Sequence, residues 1–165
     1  RIEAFGLPVS YYNRRTVEGV GYTWYPSLLG LAGAVDTLIS VAPGGASTDK
    51  AVNRQVLEAL GPNGVFVNIG RGSTVDEEAL AQALADGTIL AAGLDVFRNE
   101  PNVPASLLSL ENASLLPHVG SASVQTRTAM ADLVVDNLAA WFSSGKPLTA
   151  VAETAHVVVG ARSAI

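Results

Sequence analysis

Residues 65–80 read VFVNIGRGSTVDEEAL, and this stretch decides the fold. Its first part is a short apolar run rich in β-branched residues, which predicts a buried strand. The run breaks at Gly70-Arg71-Gly72, and carboxylates then open a new segment at positions 76–78, as the first turn of a helix prefers. A buried strand followed at once by a helix is the repeating unit of an α/β sheet.

Arg71 is placed at the carboxyl end of this central strand, the edge of an open α/β sheet where ligands bind. Its guanidinium offers a rigid pair of donors that matches a carboxylate. The glycines on either side of it let a ligand approach the backbone closely. On this stretch alone, an arginine that merely pairs with a neighbouring carboxylate is an open alternative.

The composition is that of a globular protein with a substantial core. The chain has 165 residues, 48% of them hydrophobic and 15% charged, which excludes a disordered chain. Its formal net charge is −5 and it has no lysine- or arginine-rich run, which argues against nucleic acid and anionic membrane as partners. It has no cysteine, so disulfides, thiolate zinc sites and a cysteine nucleophile are excluded, and no metal site is expected.

No apolar run is long enough to span a bilayer, and residues 1–6 have no signal-peptide character. A reducing cytoplasm is compatible with the absence of cysteine, and we expect a cytoplasmic protein.

The alternation of strands and helices predicts an α/β protein with a doubly wound parallel sheet, helices on both faces and right-handed crossovers. Residues 1–5 resemble the last turn of a helix that Gly6 ends. Strands are expected at residues 7–12, 36–42, 64–69, 89–94 and 114–116. Helices are expected at residues 25–34, 53–60, 76–85 and 123–142, with a short segment at 106–110.

Breaks rich in glycine, proline or polar residues follow the five predicted strands, at Asn13, Pro43, Gly70, Asp95 and Pro117. Because the carboxyl ends of parallel strands meet at one edge of a sheet, we expect all five breaks, and the chemistry, to gather there.

Two further side chains join Arg71 at this edge. His118 follows a proline at a strand end, where core packing gives little reason for a histidine, and Glu100 lies in the preceding strand-end loop. A carboxylate beside an imidazole favours the protonated ring and fixes its orientation, which produces a general acid for a carbonyl oxygen. With Arg71 holding a carboxylate, the three predict a site that reduces a 2-keto acid. Taken singly, a surface histidine, a loop-capping glutamate and a structural arginine are the alternatives.

Three motifs resemble, in order and spacing, the signature blocks of the D-isomer-specific 2-hydroxyacid dehydrogenases. They are NIGRGSTVD at residues 68–76, GLDVF at 93–97 with Glu100-Pro101 after it, and PHVGS at 117–121. The resemblance extends to about residue 153 and implies a Rossmann-type nucleotide-binding domain.

The resemblance also implies roles for single residues. Arg71 would bind the substrate carboxylate and carbonyl, Glu100 would tune His118, and His118 would give and take the proton while hydride passes to or from nicotinamide C4. Asp95 would lie near the nicotinamide carboxamide. The other residues at the cofactor's nicotinamide end would be Ile69, Gly70, His118 and Gly120.

Asn13-Arg14-Arg15 addresses the identity of the cofactor. At the end of the second strand of a dinucleotide fold, an acidic residue binds the adenosine ribose of NAD, whereas arginine accommodates the 2′-phosphate of NADP. Two arginines stand here, and a guanidinium pairs bidentately with phosphate. This favours NADPH, with NADH possible if the arginines merely face solvent. Together with Ala42-Pro43-Gly44-Gly45, the segment most resembles the NADPH-dependent glyoxylate and hydroxypyruvate reductase branch.

No Gly-x-Gly-x-x-Gly occurs in the chain, although such a loop would hold the cofactor pyrophosphate at a helix N-terminus. The resemblance implies that the family's first strand, this loop and most of its substrate domain precede residue 1. We expect residues 1–122 to be a nucleotide-binding domain without its first βα unit, 123–153 a long helix and return segment directed to an absent substrate domain, and 154–165 a tail. A polypeptide limited to these residues is expected to be inactive and prone to aggregate.

Three functions stay open on the sequence. The first is an NADPH-dependent reductase of glyoxylate or hydroxypyruvate, and the second is an NAD-linked relative acting on another substrate such as phosphoglycerate. The third is a non-catalytic dinucleotide-sensing module, against which Arg71, Glu100 and His118 speak. The expected partners are a small 2-keto or 2-hydroxy acid and, by the resemblance, a second copy in a homodimer.

Overall fold

The computed structural model describes residues 1–157, which belong to two compact units, Arg1–His118 and a second that begins at Val119. The predicted tail, residues 154–165, lies outside the described residues from position 158 onward. The strands of the first unit are β1 (Ser10–Tyr12), β2 (Thr23–Tyr25), β3 (Thr37–Ser40), β4 (Val65–Asn68), β5 (Ala91–Leu94) and β6 (Ala113–Leu115). Its helices are α1 (Leu28–Ala32), α2 (Arg54–Leu60), α3 (Glu77–Ala85) and α4 (Ala105–Leu108).

The main sheet of the first unit is parallel and follows the chain in the order β3-β4-β5-β6. Ser40 is paired with Asn68, Asn68 with Leu94, and Leu94 with Leu115, so the last residues of all four strands lie level. The predicted α/β class with a parallel, Rossmann-type sheet is confirmed. The loops that leave these four strands share one edge.

The first predicted strand, however, lies outside this sheet. β1 pairs in parallel with β2, and in the described part of the chain no strand ladder joins this pair to the four-stranded sheet. The expectation that all five breaks meet at one sheet edge therefore holds for four of them, and the break at Asn13 follows a strand of the two-stranded sheet.

The predicted helix at residues 25–34 was too long at its start. Tyr25 is the last residue of β2 because it precedes Pro26, whose ring disfavours the helical conformation for the residue before it. Threonine, tryptophan and tyrosine also favour a strand at positions 23–25. The helix begins after Ser27, whose hydroxyl accepts a hydrogen bond from the Gly30 N–H at 3.0 Å.

Three other helices begin one residue later than predicted, since their first expected residue is the N-cap. The Asn53, Asp76 and Ser123 side chains accept hydrogen bonds from the N–H groups of Val56, Ala79 and Thr126. Asparagine, aspartate and serine are favoured there because their side chains satisfy amides that have no partner inside the helix.

The core of the first unit lies between the sheet and its helices. Phe66 in β4, Leu57 in α2 and Leu80 in α3 are fully buried. α1, α2 and α3 pack side by side, and α4 contacts α3 and β6. Burial alternates along β4, where Val65 and Val67 are half-buried while Phe66 and Asn68 are buried, as a strand covered mainly on one face requires.

The second unit contains α5 (Val124–Ser144), the longest helix of the chain, which agrees with the prediction for residues 123–142. The helix ends at Gly145, whose positive φ of 74° lets its N–H return to the Trp141 carbonyl. Thr149 N–H donates to Asn137 Oδ1 at 2.9 Å and so ties the following segment to the helix. Among the described residues, no helix is both long and apolar enough to cross a membrane.

Candidate active site

The connection after β4 is shaped by Asn68, a fully buried polar residue. Its Oδ1 accepts a hydrogen bond from the Gly70 N–H at 3.1 Å, and its Nδ2 donates to the Arg71 carbonyl at 3.0 Å and to Thr74 Oγ1 at 3.3 Å. Thr74 Oγ1 donates to the same Arg71 carbonyl at 2.7 Å. Because these bonds hold the backbone on both sides of Arg71, Asn68 positions that residue, a role the sequence analysis missed. The available signal was an amide side chain at the end of an apolar strand.

Gly70 and Gly72 are required by neighbouring backbone. A Cβ on Gly70 would lie 2.6 Å from the Ala42 carbonyl oxygen, and a Cβ on Gly72 would lie 1.9 Å from the Phe97 carbonyl carbon. Packing of the loops after β3 and β5 thus gives a reason for these glycines, and the expected close approach of a ligand to this backbone stays a prediction. The close approach brings Arg71 beside the loop that carries Glu100.

Glu100 and His118 form a hydrogen-bonded pair in which Glu100 Oε2 lies 2.8 Å from His118 Nδ1. The other carboxylate oxygen, Oε1, accepts a hydrogen bond from the Phe97 N–H at 3.0 Å. The hydrogen bond with His118 and then that with the Phe97 amide hold the pKa of Glu100 below its ordinary value, and the charge of Arg71 acts in the same direction. The carboxylate is thus ionised at neutral pH and fixed from both sides.

His118 has a backbone φ of +55°, in the left-handed region that few residues other than glycine adopt. Its side chain remains about half exposed while Nδ1 is held by Glu100. With Nδ1 bound, Nε2 is the ring nitrogen left to act on a substrate. Strained backbone of this kind concentrates at functional sites.

Arg71 lines the same cleft, where its Nη1 donates to the Gly70 carbonyl at 2.7 Å. The cleft has a volume of about 540 Å³. Its walls are formed by Arg71, Gly72, Ser73, Phe97, Arg98, Asn99, Glu100 and His118. The structure therefore brings together the three residues that the sequence analysis selected.

Arg98 is a cleft residue that the sequence analysis did not select. Both terminal nitrogens of its guanidinium donate to Asp49 Oδ1, at 2.8 and 2.7 Å. Its own N–H donates to Glu77 Oε1 at 2.7 Å. The guanidinium bonds tie the loop after β5 to the segment between β3 and α2, and the N–H bond ties it to the start of α3; both support the cleft wall.

The residues expected at the nicotinamide end lie in several places. Ile69 is about half exposed directly after β4, and Asp95 is buried directly after β5, its N–H donating to the Asn68 carbonyl at 3.0 Å. Ala42 and Pro43 follow β3, and Ala42 lies against Gly70. Gly120 belongs to the second unit and is not assigned to the cleft.

Asn13, Arg14 and Arg15 follow β1 and are exposed. In the part of the chain that the structure describes, neither arginine forms an ion pair. Neither arginine lines the Arg71 cleft, and the adenosine end of a dinucleotide site is expected to be separate from the nicotinamide end.

This fold is that of a nucleotide-binding α/β domain, and its strand-end cleft holds a histidine–glutamate pair beside an arginine. A sequence model described as D-isomer specific 2-hydroxyacid dehydrogenase, NAD binding domain, matches residues 1–120. The chain belongs to that family.

Two curated relatives and one solved structure show how far the likeness extends. Hydroxyphenylpyruvate reductase of Plectranthus scutellarioides is 53% identical over 148 residues, covering 90% of this chain and 47% of that protein. Glyoxylate/hydroxypyruvate reductase A of Arabidopsis thaliana is 51% identical over 151 residues, covering 92% and 48%. The crystal structure of the NADPH-dependent glyoxylate/hydroxypyruvate reductase of Sinorhizobium meliloti, in complex with NADP and malonate, matches with 63% identity and a TM-score of 0.92, covering 99% and 50%. The chain thus spans about half the length of these relatives.

Proposed function

We propose that the protein is an oxidoreductase that reduces glyoxylate or hydroxypyruvate to the D-2-hydroxy acid with NADPH. The observation that carries this proposal is the Glu100–His118 pair, 2.8 Å apart, in one cleft with Arg71. An oriented imidazole beside a guanidinium provides a proton for a carbonyl oxygen and a partner for the adjacent carboxylate. A sensing module has no need of the acid.

His118 is the proposed general acid. When bound, NADPH would supply a hydride to the carbonyl carbon, and the carbonyl oxygen would take up a proton. His118 gives that oxygen a proton from Nε2, since Nδ1 is held by Glu100 at 2.8 Å. Glu100 is ionised and stabilises the imidazolium before transfer, which also keeps the ring in one orientation.

Arg71 is the proposed substrate anchor, which binds the carboxylate and the neighbouring carbonyl oxygen of the 2-keto acid. In the structure its guanidinium turns back to the Gly70 carbonyl at 2.7 Å, a neutral partner that a carboxylate replaces favourably. The bidentate contact fixes the carbonyl carbon relative to His118. Positioning of this kind is a major part of catalysis for small substrates.

The proposed preference for NADPH rests on Arg14 and Arg15, two exposed cations without a carboxylate in the Asn13-Arg14-Arg15 segment. The residues fit the 2′-phosphate because guanidinium groups bind phosphate through paired hydrogen bonds. The matched S. meliloti enzyme is described as NADPH-dependent, which supports the assignment. At the nicotinamide end, Ile69, Gly70, Asp95, His118 and Gly120 are proposed to contact the cofactor. Ala42, Pro43 and Arg71 are proposed as further cofactor contacts.

The experiment is the rate of NADPH and NADH oxidation by the full-length protein with glyoxylate, hydroxypyruvate and 4-hydroxyphenylpyruvate. We expect turnover with one of the first two and a preference for NADPH. His118→Ala should lower kcat by about 10²- to 10⁴-fold because the general acid is lost, while NADPH affinity stays within about twofold. Loss of NADPH binding in that variant would show that His118 is not reserved for the chemistry.

The other outcomes separate the alternatives. Turnover that prefers NADH would place the protein with an NAD-linked relative, and a preference for 4-hydroxyphenylpyruvate would assign the larger substrate named for the P. scutellarioides relative. NADPH binding without turnover on any 2-keto acid would leave a sensing module.

The quaternary and cellular proposals follow the same family. We propose a cytoplasmic homodimer, with residues 1–122 as nucleotide-binding domain and 123–153 as the segment that returns to a substrate domain. Light scattering coupled to size-exclusion chromatography of the full-length protein tests the dimer, which a monomeric mass at micromolar concentration would contradict.

A further inference from the structure

The segment that carries Arg14 and Arg15 is held at both ends by aromatic side chains of the two-stranded sheet. Trp24 Nε1 donates to the Asn13 carbonyl at 3.1 Å, just before the arginines. The Val17 N–H, just after them, donates to the Tyr11 hydroxyl at 2.9 Å. Both hydrogen bonds join a side chain of a strand to the backbone of the segment at residues 13–17.

The two aromatic residues are partners across the sheet. Tyr11 in β1 is paired in register with Trp24 in β2, and both are half-buried, whereas Arg14 and Arg15 are exposed. The paired strands thus fix both rings, and the Tyr11 hydroxyl and Trp24 Nε1 contact the segment at residues 13–17. Tyrosine and tryptophan suit this because each combines a packed ring with one polar atom.

We infer that Trp24 and Tyr11 are positioning residues that set the cofactor specificity by holding the 13–17 segment in the conformation that receives the 2′-phosphate of NADPH, an inference that rests on the proposed NADPH-dependent function. Two adjacent cations repel each other when the segment is free, so they would tend to separate. A segment held at both ends keeps both guanidinium groups at one place before the dianion arrives. The entropy cost of ordering the segment when the cofactor binds is then smaller.

The two hydrogen bonds should affect binding of the 2′-phosphate, through the arginines that they position. NAD has a hydroxyl in place of this phosphate. Loosening the segment should therefore weaken the binding of NADP⁺ and leave the binding of NAD⁺ nearly unchanged. A role confined to folding would weaken both cofactors alike, so the ratio of the two affinities separates the two roles.

The test measures NADP⁺ and NAD⁺ binding to the full-length protein by calorimetry, with adenosine 2′,5′-bisphosphate and AMP as smaller probes. The variants are Trp24→Phe, which keeps a ring but loses the N–H donor, and Tyr11→Phe, which loses only the hydroxyl. Each variant should lower the affinity for NADP⁺ and for the bisphosphate about three- to tenfold, the value of one hydrogen bond. The affinities for NAD⁺ and AMP should stay within about twofold of wild type. kcat at saturating NADPH should be unchanged.

The matched control is Tyr22→Phe, which removes a tyrosine hydroxyl that donates to Glu3 Oε2 at 3.1 Å and makes no bond to the 13–17 segment. This variant should leave the ratio of the NADP⁺ and NAD⁺ affinities unchanged. In a protein that already carries Arg14→Ala and Arg15→Ala, Trp24→Phe should have no further effect on NADP⁺, since the groups it positions are gone.

Two results would overturn the inference while leaving the proposed function intact. In the first, both phenylalanine variants prefer NADP⁺ over NAD⁺ as strongly as the wild type does. In the second, the affinities for the two cofactors fall equally. If Trp24→Phe fails to fold, Tyr11→Phe alone decides between these outcomes. A wild-type protein that prefers NAD⁺ contradicts the proposed cofactor itself, and the inference with it.

Discussion

At the scale of single residues, the site depends on a carboxylate whose two oxygens are both engaged. Glu100 binds His118 Nδ1 with one oxygen and the Phe97 amide with the other. The first contact places a negative charge beside Nδ1 of the imidazole, and the second fixes the carboxylate. A glutamine has the same shape but one acceptor oxygen and no charge, so it cannot accept from both the Phe97 N–H and a protonated Nδ1 of His118.

We expect Glu100→Gln to lower kcat on the order of 10²-fold, because the protonated form of His118 loses its charged partner. NADPH affinity should be unaffected. Steady-state kinetics with hydroxypyruvate checks this. The control is Glu111→Gln, since Glu111 is exposed and lies before the start of β6, whereas His118 follows the end of that strand. A kcat within twofold of wild type for Glu100→Gln would remove Glu100 from the proposed mechanism.

Glu100, His118 and Arg71 could all be selected from the sequence, because a charged residue just after an apolar strand is a local pattern. Asn68 could not be assigned its role in the same way. Its three hydrogen bonds depend on how the chain turns after β4, and the backbone of the loops after β3 and β5 packs against that turn.

At the scale of elements, the site is assembled where three strand-end loops touch. Gly72, in the turn between β4 and α3, lies against the backbone of Phe97 and Arg98 in the loop after β5. The contact joins residues far apart in the chain, and it leaves no space for even one methyl group.

We expect Gly72→Ala to lower the free energy of unfolding by about 3 kcal/mol or more, at the upper end for overpacking, because rigid backbone stands 1.9 Å from the added Cβ. Chemical denaturation monitored by circular dichroism measures this. Gly93→Ala is the matched control, since the nearest atom to its Cβ would be Val67 Cγ2 at an ordinary 3.8 Å. Equal stability of the two variants would contradict the close packing.

A second element-scale feature links α2 to the end of α3. Arg54 Nη1 donates to Asp86 Oδ2 at 2.9 Å, and the Thr88 hydroxyl donates to Asp86 Oδ1 at 2.6 Å. The Thr88 hydroxyl and then Arg54 lower the pKa of Asp86 to about 2 from an ordinary 3.8. A carboxyl whose pKa is lowered by folding stabilises the folded state above its ordinary pKa, and this contribution disappears as the pH falls through the lowered value.

We therefore expect Asp86→Asn to be less stable than wild type by a constant margin above about pH 4, and the margin to shrink between about pH 4 and pH 2. Melting temperatures across that range measure it. Glu58→Gln, which breaks the exposed i,i+4 pair with the same arginine, should have a smaller effect. A margin between wild type and Asp86→Asn that is undiminished at pH 2 would contradict the assignment.

At the scale of the whole molecule, α5 presents an apolar stripe. Met130, Val134 and Leu138 recur every four residues and are each more than half exposed, with Leu133 beside them at 46%. This spacing places them on one side of the helix. Contiguous exposed apolar surface of this kind promotes association.

We expect a polypeptide limited to residues 1–165 to bind the dye ANS and to self-associate, and the double substitution Val134→Lys and Leu138→Lys to reduce both. Dye fluorescence and size-exclusion chromatography measure this. The control is Asp132→Lys with Asp136→Lys, which adds the same lysines outside the apolar stripe. A monomeric polypeptide without dye binding would contradict the expectation.

The sequence by itself determined the fold class, the helix starts to within one residue at Asn53, Asp76 and Ser123, and the three cleft residues. These depend on local patterns: apolar periodicity, capping side chains, and breaks after strands. The tertiary structure alone decided that β1 pairs with β2 outside the main sheet, that Gly70 and Gly72 accommodate backbone, and that Trp24 and Tyr11 hold the arginine segment. The physical reason is that each of these depends on contacts between residues that are not neighbours in the sequence, and such contacts are defined only once the chain has folded.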